Sequence, residues 1–469
     1  MFAKELYRER RARLMGMVGK GIIVLPGNME LPYNYPGNTL PFRQDSTFLY
    51  YIGVDEPGMF AVLDCESGSE TLFGPEYSID DIIWTGPMPT VADLALKAGM
   101  QYSLPSADLH KCFQAFSGRP VHYVRPYQHN VAILLASLLG KPVSMLADGE
   151  SLQLISSIVS MRKIKGAQEL DEMEKAVNIT AGMHCAAMRR VGESLHGGDA
   201  ITERDVVGEL YKVALSKGYY HSFPPIVTVH GEVFHNNGYR EQLRKGALLL
   251  VDSGAEGQSH YAGDMTRTIP VGGKFSKRQK DIYDIVVDAN MGVVKSARPG
   301  IMWRDMHNLA AKIIVSGLKD LGLMKGDTDD IVHTGAYALF FPHGLGHLVG
   351  LDVHDMENLG EDNVGYSADV KRSDIFGPNC LRYALPLEKD MVITDEPGIY
   401  FIPQLIDMWR AEGRFADFIN YDLAARYKGF GGIRVEDDLH ITEGGCRVMG
   451  APVPKYSADV EDFVARWGR

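Results

Sequence analysis

A chain of 469 residues exceeds what one ordinary hydrophobic core covers, so two domains are expected. With 45% apolar and 23% charged residues, the composition excludes a disordered or collagen-like chain. A formal net charge of −12, with no basic tract beyond fragments such as RERRAR, argues against nucleic acid as a partner, because phosphate binding needs a concentrated positive field.

The N-terminus, MFAKELYRERRARL, is charged, and its first apolar run, GIIVLP, is too short for a signal sequence. No apolar stretch approaches the ~20 residues that span a bilayer, so no membrane association is expected. Cys65, Cys112, Cys185, Cys380 and Cys446 are scattered, odd in number and without C-x-x-C pairing. That argues against a disulfide framework or a cysteine zinc site and points to a reducing cytoplasm.

From residue 1 to about 160 strand and helix patterns alternate, which predicts an α/β domain. KGIIVLPG is a short buried strand, and MFAVLDCESGSETLFGP a hairpin turning at Glu66 to Ser69. DLALKAGM and SADLHKCFQAF read as helices, RPVHYVRP and KPVSMLAD as further strands. Residues 161–469 form the second expected domain. From Gln168 to Val191, apolar residues recur in steps of three and four, the signature of a long amphipathic helix. His184 lies on that stripe and reads as a packed histidine. Two helices leading into strands up to about Pro270, then two more (278–297 and 304–320) leading into strands up to about Thr442, suggest a repeat. A site would then lie between two related β layers.

Three segments of this domain carry carboxylates at the ends of apolar strands. Ala247 to Val251 runs straight into Asp252, and the chain returns through Asp264, Thr266 and Thr268 in a hairpin that brings the two aspartates together. Met391 to Ile393 runs into Asp395 and Glu396. In GFGGIRVEDD, period-two alternation sets Arg434 and Glu436 on one face, where the arginine would orient the glutamate. Each acid alone has a plain alternative as a turn former or a solvated strand end. Together, four acids and one imidazole balance two divalent cations, and oxygen-rich ligation favours Mn²⁺, with Co²⁺, Fe²⁺ or Zn²⁺ as alternatives. Two such ions activate water for hydrolysis.

FFPHGLGHLVGLDVHD holds His343, His347 and His354. The H-x-x-x-H spacing suits a zinc-protease helix, but the glutamate of H-E-x-x-H is missing and Gly344 and Gly346 weaken a helix there. Nor is it G-x-G-x-x-G, since Gly350 falls one residue late.

These segments, in this order, resemble the proline-specific metallopeptidases of the pita-bread fold, aminopeptidase P and prolidase. FRQDSTFLYYIGVDEPG is similar to a motif of that family's N-terminal domain. The resemblance implies an α/β N-terminal domain plus an α+β catalytic domain with a pseudo-twofold repeat. It implies Asp252, Asp264, His347, Glu396 and Glu436 as ligands of two divalent metals, Mn²⁺ foremost, and Glu396 also as proton shuttle. It further implies His354 as the group that steadies the oxyanion, and His235 and His343 as cleft histidines near the substrate. Arg434 would stand behind the ligands facing the substrate pocket, and Arg382 where prolidases grip a substrate carboxylate. The implied activity is an Xaa-Pro aminopeptidase, with an Xaa-Pro dipeptidase as the alternative and a metal-free binding paralogue as a remote one. The partners are Xaa-Pro peptides or dipeptides and a second copy in a homodimer or homotetramer. An organophosphate side activity is known among prolidase-like enzymes. Two features depart from the pattern. The aspartates stand 12 apart, one more than expected, so AEGQSHY must absorb a residue, and Glu396 lies 40 residues before Glu436, a separation resembling the larger prolidases.

Overall fold

The structure is a computed structural model that describes residues 1–194 and 201–467. The chain divides into two compact units, Met1–Arg162 and Lys163–Arg469.

The first unit is built on one mixed sheet of strands β1 (Ile22–Pro26), β2 (Phe60–Asp64), β3 (Glu70–Gly74), β4 (Tyr102–Pro105) and β5 (Val121–His122), in the order β4-β3-β2-β1-β5. The hairpin β2–β3 forms as its sequence predicts, with Phe60 opposite Phe73 and Leu63 opposite Glu70. Helices Val91–Ala98 and Leu109–Gln114 also form where expected. KPVSMLAD does not form a strand. It makes two 3-10 turns, Val143–Met145 and Ala147–Gly149, entered from Pro142. The reason is visible in burial: Leu146 is in the core while Met145 points to solvent, so the segment has one anchor rather than an alternating face.

The second unit carries the repeat. Helices Ala167–Glu193 and Glu203–Ser216 pack together, as do Lys277–Ser296 and Trp303–Asp320. Each pair leads into strands. The first half holds β6 (Tyr220–His221), β7 (Ile226–Thr228), β8 (Leu248–Asp252), β9 (Ala255–Glu256) and β10 (Thr266–Pro270); the second holds β11 (Val392–Asp395), β12 (Gly398–Tyr400), β13 (Gly432–Arg434), β14 (Asp437–Ile441) and β15 (Cys446–Val448). They form sheets β10-β8-β7 and β11-β14-β15, with the short pairs β12-β13 and β6-β9. A bridge between Thr266 and Glu436 joins the two halves. β8, β10 and β11 are buried along their whole length, and β8 accordingly reads as an unbroken apolar run up to Asp252. His184 is fully buried and meets the Ser253 carbonyl at 3.2 Å, a packed histidine as its stripe suggested.

The segment between the two glutamate strands folds into helices Pro403–Ala411 and Tyr421–Ala425. Trp409 and Ile406 are its core, and Phe401 stacks on Tyr427 with centroids 4.4 Å apart.

Candidate metal centre and substrate cavity

β8 and β10 are antiparallel, with Asp252 directly opposite Thr266. Asp264 precedes β10 on the same side and lies close enough to Asp252 for their charges to repel. The extra residue between the aspartates is taken up by the loop: β9 pairs with β6, Glu256 bridges Ala262, and His260 adopts a left-handed backbone at φ 64°. A non-glycine residue seldom sits there, and a 2.6 Å hydrogen bond between His260 Nδ1 and Glu256 Oε1 accompanies it.

The histidine segment is not a helix; it lies as an extended strap along β11. The His347 N–H donates to Thr394 Oγ1 at 3.0 Å, the Thr394 N–H returns to the His347 carbonyl at 2.9 Å, and the Glu396 N–H bonds the Leu345 carbonyl at 2.9 Å. Gly346 makes this approach possible, because a Cβ there would lie 1.9 Å from the Thr394 carbonyl oxygen. The His347 Nδ1–H donates to the Leu348 carbonyl at 3.1 Å, which fixes the tautomer and leaves the Nε2 lone pair facing the acids. Nε2 lies 3.5 Å from Asp264 Oδ2 and 3.6 Å from Glu396 Oε1.

Glu436 follows β13, and its Oε2 accepts from Thr266 Oγ1 at 2.6 Å. The ligand atoms of Asp264, His347 and Glu436 lie within 4.8 Å of one another. Asp252 and Glu396 complete a group of five around one cavity of about 620 Å³. Burial pushes the carboxyls of Asp264, Glu396 and Glu436 upward, and their mutual repulsion adds to it. Asp252 Oδ1 and Asp264 Oδ1 are buried with no hydrogen-bond partner. Four crowded, oxygen-bearing acids with orphaned lone pairs and one oriented imidazole are a donor set for divalent cations, and the residues fit that group.

Arg434 offsets the charge of Glu436, as its place on the same face suggested, but does not orient it. Its guanidinium bonds Asp252 Oδ2 rather than Glu436, with further bonds from Nη1 to the Tyr400 hydroxyl (2.9 Å) and from Nε to Thr266 Oγ1 (3.2 Å). Strand register explains this: β13 pairs with β12, which sets Arg434 opposite Gly398, under the Asp252 side of the site.

His343 lines the cavity. Its Nδ1 lies 2.7 Å from the Gly344 carbonyl, which only accepts, so Nδ1 carries the proton and Nε2 takes the Tyr400 hydroxyl hydrogen at 2.9 Å. Tyr400 thus relays Arg434 to His343, and burial holds the His343 imidazole neutral, down to about 3. The His354 ring lies tilted beside that of His347, 3.9 Å between centroids, and its Nδ1 meets Glu357 Oε1 at 3.0 Å. Burial lowers the His354 pKa; burial works to raise that of Glu357, but the hydrogen bond with His354 and the Arg382 charge outweigh it and hold Glu357 down to about 2. His235 sits exposed at the rim, beside Phe223, Pro224 and Phe234, and Arg382 lines the same wall.

Every sequence-predicted site residue therefore lines this cavity. Sequence reasoning missed Tyr400, Thr266, Thr394, Glu357 and Glu361. Thr266 and Thr394 were within sight, because each stands on a strand two residues from a named acid, and Tyr400 follows Glu396 by four on the next strand; the last two carry no such signal.

Residues 171–443 match metallopeptidase family M24, and residues 7–122 match the aminopeptidase P N-terminal domain. The chain is 29% identical over 464 residues to the Xaa-Pro dipeptidase of Homo sapiens, covering 97% of this chain and 91% of that one. It is 31% identical over 446 residues to a probable Xaa-Pro aminopeptidase of Aspergillus terreus, covering 93% and 88%. In structure it is similar to Escherichia coli aminopeptidase P in its low-pH form, with a TM-score of 0.81 at 28% identity, covering 100% of this chain and 99% of that one. The resemblance drawn from the motifs and the two-part fold it implied both hold: the chain is a metallopeptidase that belongs to family M24.

Proposed function

We propose that this protein hydrolyses the amide bond before proline at peptide N-termini, as an Xaa-Pro aminopeptidase using two divalent cations, Mn²⁺ foremost. The observation that carries the reading is the convergence of Asp252, Asp264, His347, Glu396 and Glu436 on one cavity, with buried carboxylate oxygens left unsatisfied. Those five residues would hold the cations, which lower the pKa of water and polarise a carbonyl when bound.

The chain's own groups supply the rest. Arg434 holds Asp252 in place through a charge-assisted bond, and Tyr400 carries that order on to His343. Glu396, whose carboxyl burial raises, takes up a proton and hands it to the leaving nitrogen. His354, held at Nδ1 by Glu357, turns Nε2 to the oxyanion. His343 and Phe234, in edge contact at 5.4 Å, offer an apolar wall to the proline ring, and His235 stands at the rim.

The second reading, an Xaa-Pro dipeptidase, is favoured by Arg382 in the same cavity, a guanidinium suited to a free carboxylate. Incubating the Mn²⁺-loaded protein with an Xaa-Pro dipeptide and with an Xaa-Pro tripeptide decides: cleavage of the dipeptide alone removes the aminopeptidase reading. Metal content below one per chain, with no rescue by added Mn²⁺, removes the dinuclear one.

A homo-oligomer is supported by helix Ile79–Thr85, which has no buried residue and presents Ile79, Ile83 and Trp84, the last 87% exposed. Sedimentation equilibrium tests it; a monomer at assay concentration rules it out.

A further inference from the structure

Two guanidiniums line the cavity, Arg382 and Arg434. Arg434 is buried and committed to Asp252 and Tyr400. Arg382 is the accessible one, with a third of its side chain exposed, yet it is clamped: Nη1 donates to Glu357 Oε1 at 2.6 Å and to Glu361 Oε1 at 3.0 Å. The two glutamates stand four residues apart, on the turn Glu357–Leu359 and at the start of helix Glu361–Gly365, and both aim at the same nitrogen. Glu361 is held from the far side by Arg372 Nη2 at 2.8 Å, and Arg372 Nε donates to Asp362 at 2.9 Å. The network sets three carboxylates against two guanidiniums, one negative charge in excess.

This arrangement decides how a substrate carboxylate fares. A free carboxylate one residue beyond the scissile bond would approach a guanidinium already neutralised, with two anions within hydrogen-bond distance of it. Repulsion from two like charges outweighs attraction to one opposite charge at similar range. A peptide that continues past proline presents a neutral carbonyl there and meets no such penalty. Discrimination by an introduced repulsive element is a general route to specificity.

We propose that Glu357 and Glu361 are specificity-determining residues: by clamping Arg382 they withhold the cavity's accessible guanidinium from a free C-terminal carboxylate, and so direct the enzyme to peptides that extend beyond proline. The inference rests on the reading that this cavity hydrolyses Xaa-Pro bonds.

The test compares Ala-Pro with Ala-Pro-amide, which differ only in the carboxylate, on Mn²⁺-loaded protein. Wild type favours the amide in kcat/KM. Glu361→Gln, which leaves the His354 contact in place, raises kcat/KM for Ala-Pro relative to the amide by about tenfold, mainly through KM. Glu357→Gln moves the ratio the same way and also lowers kcat, because it loosens His354. Adding Arg382→Ala to Glu361→Gln removes the gain. An unchanged ratio in both single variants with native circular dichroism overturns the inference, as does a gain that survives Arg382→Ala, or a wild type that prefers the free acid. A folded, metal-loaded protein that cleaves neither substrate overturns the underlying Xaa-Pro reading instead.

Discussion

Buried charge is handled in opposite ways in the two units. In the first, Arg11 is fully buried but has its own counter-charge: Nη2 bonds Glu70 at 2.9 Å and the Gly99 carbonyl, and Nη1 bonds the carbonyls of Tyr51 and Ala98 at 3.0 and 3.1 Å. In the second, Asp264, Glu396 and Glu436 are buried together, and burial and mutual repulsion push their carboxyls above the ordinary range. The contrast recurs one residue apart: Asp437 is paired with Arg267 at 2.7 Å and held well below the carboxylate range, while its neighbour Glu436 is pushed up. A buried charge with its own counter-charge belongs to the scaffold, and buried acids crowded on a cavity without one mark a candidate binding centre.

The sharpest break of this contrast is Glu396→Gln. It should cut kcat by about 10³-fold or more, the range of a lost acid-base group joined to a weakened ligand, with the fold retained by circular dichroism. Residual activity within tenfold of wild type would remove Glu396 from proton transfer. Glu70→Gln should do the reverse. Stranding Arg11 costs about 3–5 kcal/mol of stability in denaturant titration, while kcat/KM per folded molecule is unchanged.

Metal removal exposes the cost of the crowded acids. In metal-stripped protein the raised carboxyls of Asp264, Glu396 and Glu436 bind protons more tightly folded than unfolded. Their contribution is full below the ordinary carboxylate range and is lost as pH rises through their folded values. Stripped protein should therefore melt higher at pH 5 than at pH 8, and added Mn²⁺ should raise the melting temperature more at pH 8. Equal metal stabilisation at both values would refute the assignment of these acids as ligands.

Smaller effects separate the ring around the centre from the centre itself. His354→Ala should lower kcat about 10²-fold, typical of one oxyanion donor, with metal content intact by elemental analysis; loss of metal would make it a ligand. Tyr400→Phe should cost about tenfold, because it breaks the relay by removing the bond from Arg434 and the bond to His343 while leaving the candidate ligands in place, visible in kcat before KM.

Much of this was legible in the sequence because the site sits on buried strand ends, where an acid after an apolar run is conspicuous. Asp252 and Glu396 stand out on that basis, Asp264 through the hairpin that returns beside Asp252, and Gly344 and Gly346 spoke against a helix. What was not legible depends on tertiary register. Period-two alternation correctly put Arg434 on the face of Glu436, but the pairing of β13 with β12 gave its guanidinium to Asp252. Glu357 and Glu361 sit in an irregular stretch whose glutamates look like solvated charge, and only folding turns both onto Arg382. KPVSMLAD misled because four apolar residues in a short window carry no reliable period.

The bridge between Thr266 and Glu436 has a consequence for folding kinetics. The candidate ligands at residues 252 and 264 meet those at 347, 396 and 436 only where the two halves of the unit join, so completing the donor set requires long-range contacts between them. A cation that needs all five residues then has little to hold in the folding transition state and everything to hold in the native one. Metal should slow unfolding far more than it speeds folding, making the ion chiefly a source of long native lifetime.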